Sequence, residues 1–157
     1  MTGTKRPYYA VPDPNDPNRM TYWQRGPAGG LTPHPPRTRY SPRLLRSDVP
    51  DWLTGRERQT WVEDWARQHV WPWYAAIHAA IDADPQACTA RFAAFTTRCC
   101  ECGRTLRDPV SKTYGIGPDC RDGIPNEVLA AMARMVGQAH AEAAHPTTTD
   151  DNEGDPR

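Results

Sequence analysis

The apolar positions of this chain keep a helical period through its middle and lose it at both ends. From residue 54 onward, Trp61, Val62 and Trp65 share one helical face with Arg and Glu opposite, and Thr54 and Glu57 stand at capping-box spacing ahead of them. Pro72 is expected to stop or kink that helix. Trp73, Tyr74, Ile77 and Ile81 predict a second helix over 72–83. A third is predicted over 85–96, where Asp84 caps and Pro85 suits the first turn, with Ala87, Cys88, Phe92 and Phe95 as its apolar positions. A fourth opens at Pro125-Asn126-Glu127 and carries Val128, Leu129, Met132, Met135 and Val136. With only two Phe in the chain, tryptophans at helical spacing are expected to fill the interior.

Residues 1–20 break both periods. VPDPNDPNRM holds three prolines with Asp and Asn in ten residues, a composition of turns rather than of a helix or a central strand. MTYWQR (20–25) predicts a short strand, and a hairpin is expected somewhere over 20–40. LTPHPPRTRYSP is extended and proline-constrained, and PTTTDDNEGDPR, after His145, has the composition of a disordered acidic tail.

Composition sharpens this division. A chain of 157 residues is expected to form one compact domain with tails, and 12 of its 17 prolines lie in the first 50 or last 12 positions. The net charge of zero hides a basic stretch of +6 over residues 1–46 and an acidic one of −4 over 141–157. Arg37, Arg39, Arg43 and Arg46, with no acidic residue between them in sequence, are the candidate phosphate contacts. Arg outnumbers Lys 17 to 2 beside abundant Ala and Pro, which is what GC-rich coding produces, so Arg richness alone is a weak signal. No apolar run approaches the ~20 residues of a membrane span, and MTGTKRPYYAVPDP lacks the apolar segment of a signal peptide. A cytoplasmic, non-membrane protein is expected, in which clustered cysteines serve as metal ligands or reactive thiols rather than disulfides.

Four of the five cysteines fall within CCECGRTLRDPVSKTYGIGPDC, residues 99–120. Cys99-x-x-Cys102-Gly103 has the spacing of a zinc knuckle, in which the glycine allows the tight turn that aims two thiolates at one ion. Asp108-Pro109 and Ser111 read as a turn, giving a short hairpin over 103–114 with Leu106 and Val110 packed beneath. Gly115-Ile116-Gly117-Pro118 then delivers Cys120 on the first turn of a short helix. This is a treble-clef layout with Cys99, Cys102 and Cys120 as ligands. The fourth ligand is open between Cys100 and Cys88, with Asp119, Asp122, a distant histidine such as His140, or a water as further options. Zn2+ is the expected metal; an iron–sulfur cluster on Cys88, Cys99 or Cys100, Cys102 and Cys120 is the alternative. His69 and His78 read as surface or satisfied histidines. Arg98, Arg104, Arg107, Lys112 and Arg121 against Glu101, Asp108, Asp119 and Asp122 leave the module near neutral. The fold class expected is α+β, mostly α. A Trp-cored helical bundle (48–96, with a C-terminal helix at 124–144) supports a treble-clef-like zinc module (97–123). A Pro-rich basic arm (1–47) and an acidic tail (145–157) flank it.

The segment resembles a family of uncharacterised small domains of actinobacteria and their phages, with the pattern C-x-x-C-G-R-x-L-x-D-x-x-S-x-x-x-G-x-G-P-x-C. Cys99, Cys102, Gly103, Arg104, Leu106, Asp108, Ser111, Gly115, Gly117, Pro118 and Cys120 match it in place. The resemblance implies zinc binding, no established activity, and an association with nucleic-acid-handling domains. The expected function is therefore a small zinc-stabilised binding module associated with nucleic acid or its processing machinery. The alternative is a protein-interaction adaptor with purely structural zinc, docking through the Pro-rich arm and acidic tail. An enzyme is disfavoured: the chain shows no Gly-rich phosphate loop, no H-E-x-x-H and no acid–base pair.

Overall fold

The computed structural model of the protein describes residues 6–144. The acidic tail expected at 145–157 lies outside them. The described chain is mixed α/β and about half helical, with one three-stranded antiparallel sheet in the order β1-β2-β3. The strands are β1 (Tyr8–Asp13), β2 (Asp16–Arg25) and β3 (Leu31–Pro33). A 3-10 turn (Arg46–Asp48) leads to α1 (Gly55–His69), α2 (Trp71–Ala83), α3 (Pro85–Thr96), α4 (Pro109–Tyr114), α5 (Pro118–Arg121) and α6 (Asn126–Ala144). No helix among the described residues is long and apolar enough to cross a membrane.

The expectation that residues 1–20 form only turns fails at β1. In its register Tyr9 faces Trp23 and Val11 faces Thr21, while the Tyr8 amide turns outward to the Cys100 carbonyl (2.8 Å) and the Ala10 carbonyl accepts from Arg91 Nη1 (3.0 Å). Backbone groups alternate along a strand, so Pro12 also places its missing N–H on the side away from β2. Side chains alternate too. Tyr8 and Ala10 enter one core with Phe92, Ala93, Leu106, Ile116 and Leu129; Tyr9 and Val11 enter another with Trp23, Trp73, Ile77 and Ile81. A strand buried on both faces shows no apolar–polar alternation, which leaves YYAV without a strand signature in sequence. The predicted 20–25 strand and 20–40 hairpin correspond to β2 and its turn into β3, closed at GPAGG by Gly26 N–H to the Gly30 carbonyl (2.7 Å).

The helices follow the periodic pattern closely. Asp84 accepts from the Ala87 amide (3.0 Å), as its position before Pro85 predicts. α1 ends at His69 and α2 begins at Trp71, with Val70 in helical conformation between them and Pro72 in the first turn of α2. Thr54 occupies the N-cap of α1 without a side-chain capping bond.

The tryptophan core is narrower than expected. Trp23 and Trp73 are buried, whereas Trp61 and Trp65 are half-exposed and Trp52 and Trp71 are 80% and 60% exposed. The reason is partnership: α1 packs chiefly on α2 and buries no residue fully. Trp73 is held by its indole N–H to Asp13 Oδ1 (2.8 Å), and Trp23 by its indole N–H to Thr21 Oγ1 (2.8 Å). The α3–α6 seam is built from small residues, Ala90, Ala94 and Ala139 around Val136, which lets the two helices approach closely.

Candidate metal centre

The knuckle forms because the chain doubles back on itself at residue 103. Cys99 N–H donates to the Arg104 carbonyl (2.8 Å), Gly103 N–H to the Cys99 carbonyl (2.9 Å), and Leu106 N–H to the Thr97 carbonyl (2.9 Å). Gly103 sits at φ +74° under the Tyr8 ring, where a Cβ would lie 2.8 Å from Tyr8 Oη. Beyond it, the expected hairpin over 103–114 is absent. Asp108 instead caps a helix, accepting from the Ser111 amide (2.9 Å) with Pro109 in its first turn, the same local device as Asp84-Pro85. The helix, α4, closes on Gly115 at φ +71°. Gly117 then caps α5, whose first turn carries Cys120 as predicted.

These segments bring the sulfurs of Cys99, Cys102 and Cys120 within 4.8 Å of one another. Tetrahedral zinc with Zn–S bonds of about 2.3 Å sets sulfurs about 3.8 Å apart, so a small contraction closes the trio on one ion. Cys99 is fully buried, Cys120 half-buried and Cys102 exposed. The Gly117 amide points at Cys99 Sγ (3.4 Å). Burial alone would push the Cys99 thiol up, but the backbone amides of Gly117, Cys102 and Glu101 and the Cys102 side chain hold it below the usual thiol range. Cys120 is pushed up to about 12 by burial and then by the neighbouring Cys102 and Cys99 sulfurs. The fold thus favours the Cys99 thiolate and opposes that of Cys120, an opposition that a bound cation would offset.

The two residues expected to complete the set lie elsewhere. Cys100 turns away from the trio into the core with Tyr8, Phe92 and Leu129, where burial and the adjacent Cys99 push its thiol up to about 12. Cys88 is buried on α3 in the opposite core, its Sγ 3.8 Å from the Ala80 carbonyl and 4.0 Å from Arg91 Nη1. A four-cysteine cluster drawing on Cys88 is therefore not assembled. Asp119 is exposed and lies 4.0 Å from Arg104, also exposed, an ion pair worth little. Asp122 and His140 do not join the trio among the described residues. Arg121, counted in sequence only toward the module's charge, is a clamp: its Nη1 donates to buried Ser111 Oγ (2.7 Å) and to the Ile116 carbonyl (3.2 Å).

The arginines singled out in sequence divide. Arg37, Arg39 and Arg43 line a cleft of about 560 Å3 with Arg19 and Tyr40, while Arg46 stands apart on the 3-10 turn. Arg37 adopts φ +72°, uncommon for a residue with a Cβ. The expectation that no acidic residue cancels their field is corrected by the fold, which brings Asp13 and Asp16 into the same cleft. Asp13 is already engaged by Arg19 (3.4 Å), the Asn15 amide (2.9 Å) and Trp73 (2.8 Å). Sequence reasoning missed Asp13 and Arg19 because it read them only as turn and arm residues.

Residues 89–124, from mid-α3 through the module, match a family of unknown function (DUF6011). The match covers under a quarter of the 157 residues but includes the whole trio. No curated protein and no solved structure matches the chain.

Proposed function

We propose that the protein is a small binding module in which Cys99, Cys102 and Cys120 hold a structural zinc in a treble-clef-like setting and the arginine cleft engages nucleic acid. The observation that carries the zinc half is the convergence of three thiols from two separate segments, the knuckle and α5, within 4.8 Å. Three soft thiolates suit Zn2+, and zinc at this point pins the knuckle to α5. Natively purified protein is expected to carry one zinc per chain by mass, and Cys102→Ser, at an exposed position that leaves the core intact, to lose it. A metal-free protein of unchanged thermal stability would overturn this half.

The nucleic-acid half rests on the cleft. Four guanidinium groups, those of Arg19, Arg37, Arg39 and Arg43, line it with two carboxylates, Asp13 paired with Arg19 and Asp16 accepting from the Asn18 amide. Phosphate contacts release counterions, so affinity for a DNA or RNA oligonucleotide should fall steeply with salt, with a slope of about −0.7 to −0.9 per phosphate contacted. The triple variant Arg37→Ala, Arg39→Ala, Arg43→Ala should abolish most of that slope. Salt-independent binding, or binding unchanged in the variant, would overturn it. A second reading, a protein adaptor, is favoured by one observation: α1 buries no residue fully, and Trp52 and Trp71 at its two ends are largely exposed. Trp52→Ala with Trp71→Ala should then weaken a protein complex while leaving oligonucleotide binding intact.

A further inference from the structure

The trio is not enclosed. Cys99, Cys102 and Cys120 line a cavity of about 420 Å3 together with Arg104, Thr105, Arg107, Ser111 and Gly117. One side of the three sulfurs is taken by backbone, where the Gly117 amide meets Cys99 Sγ. The other side opens on the cavity, which falls in the size range of small-molecule sites. A zinc ion takes four ligands, and among the described residues no other His, Cys, Asp or Glu brings a ligand atom within 4.8 Å of all three sulfurs. Cys100 packs in the core behind the knuckle, and Cys88 lies on the far side of the sheet's other core. The Asp119 carboxylate stands on the cavity's rim, 93% exposed and 4.0 Å from Arg104. His34 packs edge-on against the stacked Tyr8 and Phe92 rings, 5.2 and 5.6 Å centre to centre.

We infer that the zinc held by this trio, on the reading proposed above, keeps its fourth coordination position open to the cavity and takes a small exogenous thiol there as thiolate. The choice of ligand follows from the donor set. A metal already bound by three thiolates is soft and prefers a fourth soft donor to water or carboxylate. The cavity wall sets Arg104 and Arg107 against Asp108 and Asp119 and is neutral on balance, so softness rather than charge selects the ligand. The thiol gives its proton to solvent and displaces a water from the metal; no bond of the protein changes.

The test uses the full chain with Co2+ in place of zinc, since cobalt's visible bands and its sulfur-to-metal charge-transfer absorption report the number of thiolates. The charge-transfer band should begin at three-thiolate intensity and rise saturably, about 1.3-fold, on titration with 2-mercaptoethanol, in proportion to ligand number. Cys100→Ser and Cys88→Ser should each show the same starting spectrum and the same rise. A spectrum that ignores the thiol overturns the open position, whichever group closes it. Loss of one thiolate in either Ser variant overturns it by naming the fourth ligand. Failure to bind Co2+ or Zn2+ at all overturns instead the metal reading on which the inference rests.

Discussion

A Cβ at Gly115 would lie 2.7 Å from Ala93 Cβ and 2.9 Å from Val136 Cγ2, on a backbone already at φ +71°. Both effects act against any other residue there, so Gly115→Ala should cost about 1–3 kcal/mol, read as a lower midpoint in urea unfolding at unchanged slope. His34 offers a residue-level test in pH. Burial, and secondarily Arg98, lowers its pKa below the ordinary histidine value. The unfolded chain therefore binds the proton more readily, so this contribution to stability is present above about pH 6.5 and is lost as pH falls through the folded value. His34→Gln should flatten that part of the acid limb, measured by melting temperature against pH. At this scale the cysteine spacing was legible because knuckle and ligands are local in sequence. The role of Asp108 was equally local, and the Asp-Pro signature that located α3 was present. It was masked by reading the segment as a hairpin between ligands. Arg121's clamp on Ser111 and the Asp13–Trp73 bond could not be read, because each joins residues that only the fold brings together.

At the scale of elements, helices declared themselves when one face had something to pack against. The spans predicted for α2, α3 and α6 agree with the structure to within a residue or two, since their apolar stripes meet the sheet or each other. The stripe of α1 is just as regular, yet it packs chiefly on α2 and buries no residue fully, and periodicity cannot tell a core from a half-covered flank. The difference is measurable. Trp73→Phe removes a buried indole donor from Asp13 and should cost about 1–3 kcal/mol, whereas Trp52→Ala, at 80% exposure, should stay within about 0.5 kcal/mol in the same unfolding assay. The strand β1 went unread for the converse reason: it is buried on two faces, and its proline falls on the one side where an amide is dispensable.

At the scale of the whole molecule, the cysteine module is joined to the sheet as well as to the helices. Tyr8 N–H bonds the Cys100 carbonyl, and the Tyr8 ring covers Gly103. On the proposed zinc reading, chelation should therefore loosen more than residues 97–123. Amide exchange is expected to speed up in the module and in β1 together, while α1 and α2 keep their protection; exchange that changes only in the module would show the two to be uncoupled.

The same bond sets an order of assembly. During synthesis β1 leaves the ribosome early, but the carbonyl that receives Tyr8 and the arginine that receives Ala10 belong to residues made long afterwards, Cys100 and Arg91. Its hairpin with β2 can close at once, yet one of its two faces must stay wet until α3 and the knuckle emerge. A nascent chain halted before the cysteines would therefore leave Tyr8 and Ala10 without the core that covers them in the finished fold.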